Sequence, residues 1–287
     1  MTERVAVVTD TTACIPKELV SQYNIEVVPV NFIFGDSVYR DGIDMTSTEF
    51  YSRLRVAKKL PTTSSVSPVS YLEAFRHASE LASNILCVTL PVKLSGLFNS
   101  ARVAADMAKE TLGKVHIEVI DSGTAAAAQG WVVLAAVRAA QAGADFDEVV
   151  TRARDVMKKV HLFAMLDTLT YLVKGGRVPK AAALVNSLLK IKPIFTVVDG
   201  EASPVTLART TKNGIGHLVE LMKPLVIPGQ PLHVAMMHAD APDKANELKD
   251  AISSRFNCTE ILTTEFTPVM GVHTGPGLIG VAFYCGE

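Results

Sequence analysis

Apolar, β-branched runs alternate with helix-period stretches along the first half of the chain. Residues 4–9 (RVAVVT) read as a buried strand, 16–23 as a helix and 26–34 as a second strand. Over 69–83, Leu72, Phe75, Ala78 and Leu81 recur at helical spacing and predict an amphipathic helix. Residues 84–90 (NILCVTL) and 115–120 read as strands. Between them, 96–112 carries Ala101, Ala104, Ala105 and Ala108 along one helical face, and an Ala-rich helix follows over 124–141. Strand–helix–strand order with continuous apolar strands predicts a parallel sheet covered by helices on both faces.

After an amphipathic helix over 146–160 the texture changes. Residues 162–166, 193–198, 202–208, 232–238, 259–265 and 278–285 all read as strands. Asp199-Gly200 separates two of them and predicts a hairpin, because both residues tolerate positive φ. A hairpin there means a mixed or antiparallel sheet. With 287 residues, too many for one compact core, the expected class is α/β with two domains. An N-terminal parallel-sheet α/β domain spans 1–159, and a C-terminal mixed α/β domain spans 160–287.

Charge narrows the partners. Net charge is −1 and no Lys/Arg run supplies a phosphate-neutralising footprint, which argues against nucleic acid. The start lacks a signal-peptide pattern, and the apolar stretch over 125–140 is broken by Gln129 and Arg138. The expectation is a cytoplasmic protein with no membrane span. The four cysteines form no C-x-x-C pair and read as reduced packing residues. Phosphate-loop, zinc-protease and nucleophile-elbow motifs are absent, so no cofactor or metal is expected.

Four short motifs carry chemistry. Lys93-Leu94-Ser95-Gly96-Leu97 follows a strand and opens a helix, where unpaired N–H groups and the Ser95 hydroxyl suit an anion; equally, Ser95 is placed to cap the helix. The hydroxyl-rich segment 60–68 (LPTTSSVSP) reads as a loop, with Ser67 capping the next helix and Pro68 at its first position. Tyr171 to Val178 (YLVKGGRV) brings the fixed charge of Arg177 beside a glycine pair, or ends a helix with a surface arginine. In His273-Thr274-Gly275-Pro276-Gly277 the glycines imply a rigid turn with close backbone approach. A protonated His273 there would favour a carboxylate.

In this order and spacing the motifs resemble the DegV family of bacterial fatty-acid-binding proteins. The resemblance runs nearly end to end. It takes in Thr9-Asp10-Thr11-Thr12-Ala13, Tyr39-Arg40-Asp41-Gly42-Ile43-Asp44, Val119-Ile120-Asp121-Ser122, Ile191-Lys192-Pro193-Ile194 and Asp199-Gly200 as well. It implies a long-chain fatty acid whose carboxylate sits at the domain junction, with loops of the first domain around the head-group and an apolar acyl tunnel in the second. Thr63 and Ser95 are then the direct carboxylate ligands, with Gly96, Arg177, His273 and Thr274 in the head-group neighbourhood. The resemblance further implies a non-catalytic protein that presents its ligand to an ATP-dependent fatty acid kinase for acyl-phosphate formation. The Ala/Leu/Met-rich stretches at 181–189, 221–222 and 236–237 suit a tunnel lining or core packing.

Some positions depart from the family pattern. Leu97 and Phe98 replace polar residues near the head-group, Thr62 stands where a lysine is usual, and Thr11 where a serine is. These departures bear on kinase docking and acyl preference. Two other readings use the same residues. One is an acyl-ester hydrolase with Ser95 as nucleophile, His273 as base and Asp10 or Asp121 orienting it. The other is a carrier for a different small anion with a polar tail pocket.

Overall fold

In the computed structural model, which describes residues 4–178 and 191–287, the first half contributes strands β1 (Val5–Asp10), β2 (Glu26–Val28), β3 (Asn31–Phe34), β4 (Ser37–Arg40), β5 (Thr62–Ser64), β6 (Asn84–Thr89) and β7 (His116–Asp121). Four of these form a wholly parallel sheet in the order β2-β1-β6-β7. Every residue of β6 is buried, which is why its sequence is a continuous apolar run. Ile85 and Cys87 face the cluster holding Tyr71, Phe75, Ala101 and Ala104; Leu86 and Val88 face the cluster holding Trp131. The first cluster is covered by α3 (Pro68–Ser79) and α4 (Leu97–Thr111), the second by α5 (Ala127–Gln141). Two further helices, α1 (Lys17–Tyr23) and α2 (Ser47–Val56), precede these, and α6 (Phe146–Lys159) follows.

Two sequence expectations change here. Residues 26–34 are not one strand. Pro29 has no N–H to continue the ladder, so β2 ends at Val28 and β3 starts afresh in a separate antiparallel sheet, β4-β3-β5. The hydroxyl-rich segment is not all loop either. Its Thr62–Ser64 pairs with β3, placing Thr63 opposite Phe32.

The second half builds a six-stranded mixed sheet, β10-β9-β8-β13-β11-β12. Its strands are β8 (His161–Met165), β9 (Lys192–Val198), β10 (Glu201–Ala208), β11 (Leu232–His238), β12 (Glu260–Glu265) and β13 (Ile279–Cys285). Only β11 and β12 pair in parallel. The β9–β10 hairpin turns on Asp199 (φ 50°) and Gly200 (φ 74°), both left-handed as a two-residue turn requires. The intervening helices are α7 (Thr170–Gly175), α8 (Thr211–Met222), α9 (Pro242–Ser253) and α10 (Pro268–Thr274). Met222, Met236 and Met237 lie in the core around this sheet, so their role is packing. The expected lining at 181–189 lies outside the described residues. All four cysteines are free, with Cys258 alone partly exposed.

Helix α5 lies between the two sheets. Residues 127–137 are buried on all sides, as a helix apolar all round must be, and the Trp131 indole N–H donates to Ala282 O at 3.2 Å. Among the described residues no helix is long and apolar enough to cross a membrane. Arg138 of α5 reaches Glu260 of β12 through two bonds, 2.9 and 2.6 Å, while His233 Nδ1 lies 2.9 Å from the same carboxylate. Burial pushes this carboxyl up, but the His233 and Arg138 bonds outweigh it and hold Glu260 at about 2, against an ordinary 4.5. A carboxylate whose folded value is depressed stabilises fully above its unfolded value and loses that contribution as pH falls through the folded one. The pair is only partly buried, at 29% and 23% exposure, so solvent screens it. Urea denaturation at falling pH should therefore show wild type more stable than Glu260→Gln by about 1–2 kcal/mol near neutrality. The gap should narrow as pH falls below about 4.5 and close only below about pH 2, the folded value. Parallel pH curves for the two proteins would mean that this ion pair contributes nothing.

Candidate ligand-binding site

A cavity of about 230 Å³ opens between the end of β6, the small sheet, the β9–β10 hairpin and α10. Thr63, Ser95, Gly96, Arg177, His273 and Thr274 all line it. Its other walls are largely hydrocarbon: Leu90, Leu94 and Leu97 from one side, Val197 and Ala202 from the hairpin, Val269 and Met270 from α10. One cavity thus gathers residues from both halves of the sequence.

Each polar side chain is placed by local structure. The turn after β6 is closed by Leu94 N–H and Ser95 N–H, both donating to Pro91 O at 2.9 and 3.1 Å. Helix α4 then begins at Leu97 with Gly96 in the capping position and no side-chain cap, so Ser95 is not the capping residue, and the first-turn amides are left without a capping side chain. Ser100 Oγ donates to Val66 O at 2.8 Å and ties this helix start to the segment following β5. Strand β5 presents Thr63 to the cavity while Thr62, its neighbour, is exposed.

His273 lies in the last turn of α10, before Gly275 reverses the chain. Its Nε2 lies 3.1 Å from Thr63 Oγ1. Its Nδ1 is buried, with no hydrogen-bond partner among the described residues. Burial first, and the Arg177 charge second, pull the imidazole down to about 4, so the protonated form expected from sequence is not the resting one. At neutral pH the ring is uncharged and acts on Thr63. Arg177 is exposed at the rim and donates to Gly175 O at 2.7 Å. A Cβ on Gly175 would sit 2.6 Å from His273 Nδ1, so only glycine lets the end of α7 rest against the ring. Thr274 Oγ1 is turned back to Met270 O at 3.0 Å.

The hydrolase geometry is not assembled. His273 faces Thr63 rather than Ser95, and its far nitrogen meets no carboxylate among the described residues. Asp10 is fully buried, its carboxyl raised by burial, and accepts from the Thr12 hydroxyl and from Thr12 N–H and Leu90 N–H. Asp121 accepts from Val92 N–H at 2.9 Å and Gly123 N–H at 2.8 Å. Neither is free to orient the imidazole. Val30, Ala125 and the α10 pair Val269 and Met270, which none of the sequence motifs includes, also line the cavity. The sequence predicts no helix over 268–274, so nothing in it points to Val269 or Met270.

The family model described as "Uncharacterised protein, DegV family" matches residues 4–285. The chain belongs to the DegV family. A DegV domain-containing protein of Caldanaerobacter subterraneus subsp. tengcongensis is 33% identical over 281 residues, covering 98% of this chain and 99% of that one. Protein DegV of Bacillus subtilis is 31% identical over 281 residues, covering 97% and 98%. Among solved structures, a DegV family protein from Thermus thermophilus, described for its fatty acid binding, superposes with a TM-score of 0.91 at 28% identity, covering 98% and 99% of the two chains. The structure of Bacillus subtilis DegV, described as a fatty acid binding protein, gives 0.89 at 28% identity over 100% of both chains. The DegV fold accounts for the pairing of a parallel and a mixed sheet seen here.

Proposed function

We propose that this DegV chain binds a long-chain fatty acid between a unit spanning 1–159 and one spanning 160–287. The carboxylate sits on the Thr63 and Ser95 hydroxyls and the first-turn amides of α4, and the acyl chain follows the hydrocarbon walls. The observation that carries this is the convergence of those two hydroxyls, from separate elements, on one largely apolar cavity. The description of the Thermus and Bacillus structures as fatty acid binding supports it.

Neutral His273 has a definite part in this reading. With its proton on Nε2, the ring donates to Thr63 Oγ1 and leaves the threonine proton to point at the carboxylate. Arg177 supplies long-range positive charge from the rim. Each buried methylene contributes about 0.8 kcal/mol, so ten give roughly 8 kcal/mol to set against desolvating the head-group. Apolar walls favour this over an anion with a polar tail.

Organic extraction of the purified protein followed by mass spectrometry should release an acyl chain. Ser95→Ala should weaken binding of a fluorescent fatty acid by about 1–3 kcal/mol with the circular dichroism unchanged. Unaltered affinity would place the head-group elsewhere. The resemblance further supports presentation of the bound acid to an ATP-dependent fatty acid kinase in the cytoplasm. Acyl-phosphate should then form only when this chain, kinase and ATP are all present. Equal turnover without this chain would remove that role.

A further inference from the structure

Four buried polar side chains meet at the end of β1: Thr9, Asp10, Thr12 and, from α5, Gln129. Thr12 and Leu90, whose N–H groups both donate to the Asp10 carboxyl, also line the cavity, so Asp10 stands directly behind the cavity wall.

Proton counting decides the state of this network. Thr9 Oγ1 donates to Val88 O at 2.8 Å, which commits its one proton. The amide protons of Gln129 go to Thr9 Oγ1 at 3.2 Å and to Asp10 Oδ2 at 3.4 Å. Turning the amide over would set its oxygen against those same two oxygens, so its orientation is fixed. Gln129 Oε1 then faces the Thr12 hydroxyl at 3.1 Å and meets no other donor among the described residues. The same hydroxyl lies within bonding distance of Asp10 Oδ1. One hydroxyl proton cannot make both bonds at full strength. With Asp10 ionised, either Gln129 Oε1 or the carboxylate oxygen is left against a lone pair of Thr12, in a fully buried place. With a proton on Asp10 Oδ1, each of the two contacts holds one proton and every group is matched.

The surroundings do not favour a charge. Thr12 N–H at 3.0 Å and Leu90 N–H at 3.2 Å are neutral donors, and no Lys, Arg or His bonds to Asp10 among the described residues. The Tyr71 hydroxyl is buried beside it without a partner at bonding distance. Asp41, a second buried carboxyl, bears on it with charge of the same sign. Two buried carboxyls with no cation between them do not both ionise readily. Burial raises the Asp10 carboxyl above its ordinary value, against the pull of the Thr12, Leu90 and Gln129 bonds.

We propose that Asp10 is held neutral behind the cavity wall, its proton on Thr12 Oγ1 and the Thr12 proton on Gln129 Oε1, so that a carboxylate in the cavity meets no buried negative charge from it. The place of the proton follows from the network alone; its use rests on the cavity taking a fatty acid.

Infrared difference spectra of the full chain, wild type minus Asp10→Asn at neutral pH, test the proton. A carboxylic-acid carbonyl band should appear on the high-frequency side of the amide band and shift downward in heavy water. Should Asp10→Asn fail to fold, wild type with aspartate labelled by carbon-13 in the side-chain carboxyl serves instead. One carboxyl carbon should stay at the acid position through the neutral range, while that of Asp41 moves with pH. Absence of the band, or of the resonance, overturns the proposal whether or not a fatty acid binds. A fluorescent fatty acid should bind folded Asp10→Asn, which keeps the wall neutral, within about threefold of wild type. Removing an ionised carboxylate from behind the wall would instead tighten binding by roughly tenfold or more, and that result overturns the proposal too. A band present in a protein that binds no fatty acid would uphold the neutral aspartate and remove the ligand assignment.

Discussion

The paired change Thr63→Ala, Ser95→Ala should lower fatty acid affinity by about a hundredfold or more, while either change alone costs about tenfold. A hydrogen bond from a hydroxyl to an ionised carboxylate contributes about 1.5–3 kcal/mol net, and two such bonds lost together reach about 3 kcal/mol at the least. The hydroxyls come from β5 and from the turn before α4, elements joined through the Ser100 to Val66 bond but with no direct bond between the two hydroxyls. Both grip the same carboxylate, so the departure of the double variant from the sum of the single changes measures their coupling through it. Removing Thr63 also strips His273 Nε2 of its 3.1 Å partner, so the threonine variant should be the more harmful single change. Titration of all three variants with a fluorescent fatty acid, alongside circular dichroism, measures this. A double variant that binds like wild type would show that the carboxylate rests on neither group.

What the sequence conveyed follows from where its signals are local. Strands such as Asn84–Thr89 are buried on both faces, so an unbroken apolar run announces them. Asp199-Gly200 announces its hairpin because the backbone there must take positive φ twice. The short strand Thr62–Ser64 escaped notice because threonine and serine on a sparsely covered sheet look the same as loop residues. Pro29 was visible, but its effect depended on β3 finding β4 and β5 in place of the main sheet. The neutral state of His273 was equally beyond reach. It comes from burial and from Arg177, and its partner Thr63 stands 210 positions away. Asp41 likewise meets Val269 across 228 positions, so a motif reading could flag the aspartate without saying what it faces.

Gly275→Ala should destabilise the protein by about 3 kcal/mol and disturb the site with it. Gly275 closes α10 at φ 71° and ψ 174°, a backbone region that essentially only glycine occupies, at a cost of about 1–3 kcal/mol for any other residue. A Cβ there would also drive into the ring of Tyr171 on α7, and displacing a packed ring costs about 1–3 kcal/mol more. The ring cannot move alone. The same helix carries Leu172 into the cavity wall and ends at Gly175 against the His273 imidazole, so pushing Tyr171 aside shifts α7 relative to α10. For a chain of this size the melting temperature should fall by about 6 °C or more. Gly176→Ala supplies the control, since it shares the positive φ (67°) but its added methyl meets open space. It should cost only the backbone share, about 1 kcal/mol. Adding Tyr171→Ala to Gly275→Ala should recover part of the loss if the ring is the obstacle. A Gly275→Ala protein that melts with the Gly176→Ala control would show that the two helices are free to part, and that the close approach of α7 to His273 is not what holds the cavity in shape.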